Sequence, residues 1–410
     1  MNKMTVRDIE VAHKKVLVRV DFNVPLDVDT GEIVDDSRIK ATLPTIRYLI
    51  EHGARTILCS HLGRPKGKPV KELQLAAVAR RLSQLLDQPV EMTVDCIGPA
   101  VEDTVERLRS GDILLLENLR FHAEEEGNDH RFARALSGLG DVYVNDAFGA
   151  SHRAHASIVG IAHYLPAVAG LLLEKEFDIL SNVLEHPRRP FAALLGGAKI
   201  SDKVDMLENI MDRANYVLIG GGMAATFLKA SYHEIGWSLL DLDRLGTVAR
   251  LMKKADANGT TVQLPQDVVV SRKSSALSNI KTVPVGEIPQ KSRIVDIGPM
   301  TVIDFYRVLR KCQTIFWNGT MGIHEMPHFS GGTMSIARLL ANLDAITVIG
   351  GGSTAEVVNS MGLTDKMSFV STGGGATLEF LGKQALPGVE ALLDLEVPSR
   401  ALALSAVGVR

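Results

Sequence analysis

AALLGGAKISDKVDML (192–207) is the stretch from which the rest of the chain is read. An apolar run ends in Gly196-Gly197 and passes into a segment whose apolar residues Ile200, Val204 and Leu207 recur at helical spacing. The pattern predicts strand, tight turn and helix. Lys199 and Lys203 lie four apart, which puts both on one side of the expected helix's first turns. Positive charge there opposes the helix dipole and costs about 0.3–1 kcal/mol per lysine. A phosphate held by glycine-freed backbone N–H groups and two ammonium groups would offset that cost. A solvated lysine pair on an amphipathic helix is the alternative, and this stretch alone leaves both open.

The same alternation of apolar run and helix-like segment extends in both directions. Before it come KVLVRVDF (15–22), TILCS (56–60), DILLLENL (112–119) and DVYVNDAF (141–148). After it come YVLIGGG (216–222), VQLPQDVVV (262–270), RIVDIGP (293–299), TIFWNGT (314–320), AITVIGGG (345–352) and SFVSTGGG (368–375). Such alternation predicts an α/β fold with mainly parallel sheets covered on both faces. At 410 residues the chain is expected to divide in two. Apolar periodicity from 167 to 185, with Pro166 at its first turn and Pro187 beyond it, predicts one long helix over 166–187 as the bridge.

Composition narrows the function classes. Apolar residues at 46% and charged residues at 23% are those of a soluble globular chain. A net charge of -3 gives no reason to expect nucleic acid or an acidic membrane as partner. The start, MNKMTVRDIEVAHKK, lacks the apolar core of a signal peptide, and no run approaches the ~20 apolar residues of a membrane span, so the cytoplasm is expected. Cys59, Cys96 and Cys312 lie far apart and outside any CxxC or Cys/His pattern, so neither a disulfide nor a zinc site is expected, only buried thiols.

The ends of the runs divide into two chemistries. Asp21, Asn23, His61, Arg64, Arg120 and Arg153 follow first-half runs, with Arg38 nearby, and in open α/β sheets ligands bind beyond the strands' carboxyl ends. Several guanidinium forks on one surface suit a small, multiply anionic molecule, and Asp21 and Asn23 can take a hydroxyl. Second-half runs end instead in glycine, at 196–197, 220–222, 350–352 and 373–375, which suggests a phosphate or nucleotide platform. Neither a P-loop nor a clean GxGxxG is present, which argues against P-loop NTPases and dinucleotide-dependent dehydrogenases. Two anion sites without a nucleophile–base pair fit phosphoryl transfer, which needs positioning and charge neutralisation. A carboxylate acceptor, ionised at neutral pH, needs no general base.

VRVDFNVP (18–25), SHLGRP (60–65), ENLRF (117–121), DAFGASHRAHAS (146–157), LGGAKISDK (195–203), IGGGMA (219–224), DIGP (296–299), WNGTMGIHE (317–325), VIGGG (348–352) and VSTGGGA (370–376) closely resemble the sequence blocks of the phosphoglycerate kinase family, in its order and spacing. The resemblance implies two Rossmann-like domains: 1–165 for phosphoglycerate and 188–390 for nucleotide, with helix 166–187 between them and a tail, 391–410, returning to the first. It implies reversible phosphoryl transfer from 1,3-bisphosphoglycerate to ADP, giving 3-phosphoglycerate and ATP, with Mg2+ carried by the nucleotide, in a monomer whose domains close about a hinge.

By the same resemblance, Asp21, Asn23, Arg38, His61, Arg64, Arg120 and Arg153 form the phosphoglycerate site. Gly197, Ala198, Lys199, Lys203, Gly220, Gly221, Asn318, Glu325, Gly351, Gly352, Ser353 and Thr354 form the nucleotide site. Arg38 and Lys199 are the expected catalytic cations, helped by backbone N–H groups of Gly351, Gly352, Gly374 and Gly375. Ser353 stands where the family usually has a magnesium-binding Asp, and a neutral hydroxyl is the poorer ligand. Thr320 replaces a usual proline, which is expected to loosen its loop, and His324 a usual aromatic. A non-catalytic descendant that binds nucleotide or phosphoglycerate, weakened by Ser353, is the competing expectation.

Overall fold

The computed structural model describes residues 1–272 and 280–395. The chain falls into two compact units. The first comprises Met1–Ala147, Arg153–Lys175 and the described residues from Pro387 onward; the second comprises Phe148–His152 and Glu176–Leu386.

The first unit is built on β1 (Lys15–Arg19), β2 (Arg55–Cys59), β3 (Glu91–Met92), β4 (Ile113–Leu115), β5 (Val142–Asn145) and β6 (Ala167–Ala169). They form one sheet in the order β3-β4-β2-β1-β5-β6, with every pairing parallel. Val16, Val18, Leu58, Leu115 and Val144 anchor its core, and such β-branched and leucine runs are what a sheet covered on both faces demands. From β1 the chain goes to β2 on one side, and from β5 to β6 on the other, so the topology switches direction between β1 and β5. Ligands in such sheets bind beyond the carboxyl ends at that switch.

The helix expected over 166–187 begins later, at Leu171, and runs to Glu185. Ala167–Ala169 pairs with β5 instead. The physical reason is Asp146, whose Oδ1 accepts the N–H groups of Leu172 (2.9 Å) and Leu173 (3.2 Å) and so satisfies the first turn of a helix starting there. Alternating Ala and Val before Gly170 suits an edge strand as well as a helix, and periodicity alone merged the two. At the other end, Leu393 donates to Ala167 O (2.9 Å), Met4 to Leu393 O (2.8 Å), and Lys3 pairs with Asp394 (2.8 Å). Residues 396–410 of the tail expectation lie outside the described residues.

The second unit has a six-stranded parallel sheet and a small antiparallel one. The larger uses β7 (Phe191–Leu195), β8 (Tyr216–Ile219), β9 (Thr261–Gln263), β13 (Thr314–Asn318), β14 (Ile346–Gly350) and β15 (Phe369–Val370), in the order β15-β14-β13-β7-β8-β9. The smaller uses β10 (Asp267–Ser271), β11 (Lys281–Pro284) and β12 (Arg293–Ile297), in the order β11-β10-β12. VQLPQDVVV is therefore two strands in two sheets. Pro265, which cannot donate to a ladder, stands between them. β7 and β13 are buried throughout, and the switch point lies between them, since β7 leads to β8 on one side and β13 to β14 on the other.

Candidate functional sites

In the first unit, residues from the ends of β1, β2 and β4, which are neighbours in the sheet, form one network. Arg38 Nη1 donates to Asp21 Oδ2 (2.6 Å), and His61 Nδ1 lies 3.8 Å from Asp21 Oδ1. Asn23 Oδ1 accepts the Gly63 N–H (2.8 Å), and Arg120 Nη1 donates to Gly63 O (2.8 Å). Asn118 fixes this corner, accepting from Leu62 N and Arg120 N while donating to Leu62 O and Leu73 O. Arg64 is exposed, and Arg153 is near enough for its charge to act on Arg120. Burial pushes the Asp21 carboxyl up, but Arg38, His61 and Arg19 together hold it below the usual carboxylate range.

Sequence reasoning missed the buried layer behind these groups. Arg19, 1% exposed, donates from Nε to Ser157 Oγ (2.9 Å), and its Nη2 lies 3.0 Å from His61 Nδ1. Ser157 Oγ in turn donates to Glu125 Oε1 (2.6 Å). A guanidinium only donates, so His61 Nδ1 is the acceptor and Nε2 carries the proton. Burial, with help from Arg19, keeps the imidazole pKa well below its ordinary value despite Asp21, so His61 is a neutral N–H donor at pH 7. The available signal was Arg19 itself, a charge inside the apolar run KVLVRVDF.

In the second unit, a cavity of about 680 Å³ opens at the switch point between β7 and β13. Gly197, Ala198, Lys203, Asn318, Glu325, Gly351, Gly352, Ser353, Thr354, Gly374 and Gly375 line it, together with apolar Trp237, Leu239, Ile294 and Leu378. The size suits a nucleotide, with an apolar wall for a base and polar groups at the strand ends. Lys199, Gly220 and Gly221 do not line it. A Cβ on Gly220 would meet Met321 Sδ at 2.4 Å, and one on Gly221, where φ is +63°, would meet Gly197 N at 2.6 Å. These two glycines permit loop packing, whereas Gly352 and Gly374 have nothing within 4 Å.

The opening stretch also differs from its expectation. The helix starts at Val204, after a 3-10 turn over Ser201–Lys203, so Lys199 and Lys203 do not share a helical face. The N–H groups of Ile200 and Ser201 are taken by Asp241 Oδ2 (2.8 and 3.2 Å), so an internal carboxylate satisfies donors expected to meet phosphate. Lys203 folds back to donate to Gly196 O (2.9 Å) and Asn318 Oδ1 (2.5 Å), bridging the ends of β7 and β13. Lys199 is exposed and makes no hydrogen bond or ion pair among the described residues. The helix Gly352–Ser360 lacks a side-chain cap, and its first residues, Gly352, Ser353 and Thr354, line the cavity, where a helix N-terminus is a ready cradle for an anion.

Thr320 is held: its Oγ1 donates to Gly322 O (2.9 Å), and its O accepts from Gly197 N (2.9 Å), so hydrogen bonds fasten the loop that was expected to loosen. His324 Nδ1 pairs with Glu325 (3.2 Å). Asp296 accepts from Gly332 N (2.7 Å) and Ile297 N (2.9 Å) beside the cavity, and burial pushes its carboxyl up to about 7.

Burial lowers the Lys203 ammonium from 10.5 to about 8, with Asp202 opposing the shift. Affinity of the cavity for an anionic ligand should therefore fall as pH rises from about 7 to about 9, and that slope should vanish in Lys203→Met; an equal slope in both proteins would show that Lys203 does not act on the ligand. The sign for stability is opposite. The unfolded chain binds more protons between about 8 and 10.5, so this lysine's contribution to stability rises with pH in that window.

A parallel-sheet unit with an arginine cluster and another with a nucleotide-sized cavity are the marks of a phosphotransferase. The family model "Phosphoglycerate kinase" matches residues 6–384, and the chain belongs to that family. Phosphoglycerate kinase of Pelotomaculum thermopropionicum is 51% identical over 394 residues, and that of Moorella thermoacetica 50%; each alignment covers 96% of this chain and 100% of the relative. The structure of phosphoglycerate kinase from Coxiella burnetii superposes with a TM-score of 0.82 at 37% identity, over 95% of this chain and 98% of that one. That from Pyrococcus horikoshii OT3 gives the same TM-score at 33% identity, with the same coverage.

Proposed function

We propose that the arginine network of the first unit binds 3-phosphoglycerate or 1,3-bisphosphoglycerate and that the cavity of the second binds ADP or ATP. The reaction is the family's reversible transfer of a phosphoryl group between 1,3-bisphosphoglycerate and ADP. What carries this reading is the family match over residues 6–384, with the anion-binding residues present at both sheets' carboxyl ends. Relatives of 50–51% identity that bear the enzyme's name favour catalysis over a non-catalytic descendant.

In the glycolytic direction the acyl phosphate P–O bond breaks, the carboxylate leaves with the electron pair, and a β-phosphate oxygen of ADP forms the new P–O bond. No proton moves, so no general base is needed. Neutral His61 donates through Nε2, Asp21 and Asn23 take the substrate hydroxyl, and Arg64, Arg120 and Arg153 hold its phosphate. Arg38 and Lys199 neutralise the charge spread over the transferring group. Lys199 suits this role because its ammonium is uncommitted, whereas Lys203 is engaged with Asn318 and orders the cavity floor. The N–H groups of Gly352 and Gly375 complete the cradle.

Glu325, paired with His324, is the only carboxylate among the described residues that line the cavity, and Ser353 adds a hydroxyl. That donor set fits a magnesium ion brought by the nucleotide, with phosphate oxygens and water as its main ligands. Bound there, the ion would neutralise phosphate charge. Ser353→Asp should tighten Mg-nucleotide binding by about tenfold in calorimetric titration; unchanged or weaker binding would show that this position does not face the metal.

We further assign residues 391–395 to the phosphoglycerate domain, and the protein to the cytoplasm as a monomer. No described helix is long and apolar enough to cross a membrane. A coupled assay of ADP formation from ATP should show turnover that depends on 3-phosphoglycerate. A folded preparation that binds nucleotide yet shows no acceptor-dependent turnover at any magnesium concentration would overturn the proposal.

A further inference from the structure

Outside both sites, the first unit brings Asp95, Cys96 and His122 together, with one ligand atom from each lying within 4.8 Å of the others. Asp95 and Cys96 belong to the loop between β3 and the helix Pro99–Arg107; His122 follows the turn Leu119–Phe121 after β4. β3 and β4 are paired, so their carboxyl ends deliver the two segments side by side. His122 Nε2 lies 2.6 Å from Asp95 Oδ1, which also accepts the Cys96 N–H (2.7 Å). Cys96 is 0% exposed, whereas the side chains of Asp95 and His122 are 48% and 26% exposed. The thiol is the floor, and the carboxylate and imidazole form an open rim.

We propose that Asp95, Cys96 and His122 bind a borderline-soft divalent transition-metal ion of the zinc(II) type. One sulfur, one imidazole nitrogen and one carboxylate oxygen make a zinc-like donor set, while magnesium and calcium prefer all-oxygen shells. Zinc bonds of ~2.0–2.3 Å place tetrahedral ligands ~3.3–3.8 Å apart, and the three ligand atoms, all within 4.8 Å of one another, lie near that spacing. The exposed rim leaves the fourth position to water. Binding displaces the thiol proton to solvent and replaces the Asp95–His122 hydrogen bond with two metal bonds, so affinity rises with pH. The ion would tie the 93–98 loop to the turn that carries Arg120.

The full-length protein, treated with chelator and dialysed, is titrated with cobalt(II), then with zinc(II) in competition. One equivalent of cobalt should produce a sulfur-to-metal charge-transfer band that zinc abolishes. Cys96→Ser should lose the band, Cys59→Ala should keep it, and His122→Gln and Asp95→Asn should weaken binding by at least ~10-fold. The last two sit at exposed or half-exposed positions, so the test stands even if Cys96→Ser does not fold. Binding without a thiolate band, a band that survives Cys96→Ser, or unchanged affinity in both rim variants overturns the proposal.

Discussion

Arg38→Ala is expected to lower kcat by ~10³- to 10⁵-fold, the range typical of an arginine that stabilises a transferring phosphoryl group, while nucleotide KM stays within about twofold. In the proposed phosphoglycerate site Arg38 supplies a guanidinium fork, and its ion pair with Asp21 sets its direction (2.6 Å). Removing it also strands Asp21, which is 5% exposed and whose carboxyl Arg38 helps hold below the usual range. The wild-type pair contributes stability above the unfolded carboxyl's pKa, and that stability is lost as pH falls through the lower folded value. Arg38→Ala should thus also raise the pH at which acid unfolds the first unit. The two effects separate in Arg38→Ala/Asp21→Asn, which should regain acid stability without regaining kcat. Initial-rate kinetics with both substrates varied decides the matter: an unchanged kcat, or a fall in kcat/KM that lies wholly in nucleotide KM, removes Arg38 from its role.

The sequence made the strand ends legible but not what lies behind them. Asp21, His61 and Arg120 stand out because polar residues directly after apolar runs in an α/β chain have one obvious place to go, beyond the sheet's carboxyl edge. Glu125 and Ser157 do not stand out, because only tertiary packing brings them onto Arg19, more than a hundred residues earlier. Gly220 and Gly221 illustrate the opposite limit. A glycine after a strand reports that something approaches closely, and here it is the Met321 and Gly197 loops. The turn after β7 shows a third. Charge spacing pointed to free helix N–H groups that would meet a phosphate, yet the helix starts only at Val204, and Asp241, some forty residues away, takes the N–H groups of Ile200 and Ser201. The anion cradle we propose is therefore the uncapped helix beginning at Gly352, which three glycines and a serine mark only weakly.

Arg19→Met should cost about 3–5 kcal/mol of stability in the first unit, the scale for removing one partner from a buried charged network. The methionine fills much of the volume, so the loss is electrostatic. Glu125, 0% exposed, already has its carboxyl pushed up by burial, with Arg19 the main charge opposing that push. Without Arg19 it must be buried protonated or unpaired. Glu125→Gln on the Arg19→Met background should therefore recover part of the loss, because a neutral amide still accepts from Ser157. A second readout tests the link to the site. With Arg19 gone, His61 loses both the donor that fixes its tautomer and a repelling charge, while Asp21 remains beside it. Its pKa should rise, and KM for 3-phosphoglycerate should acquire a dependence on pH between about 6 and 8 that the wild-type lacks. Denaturant unfolding and a pH series of KM measure the two effects independently. A stability loss below about 1 kcal/mol would dismiss the buried network as a structural necessity, and a flat KM profile in the variant would show that His61 holds its tautomer without Arg19.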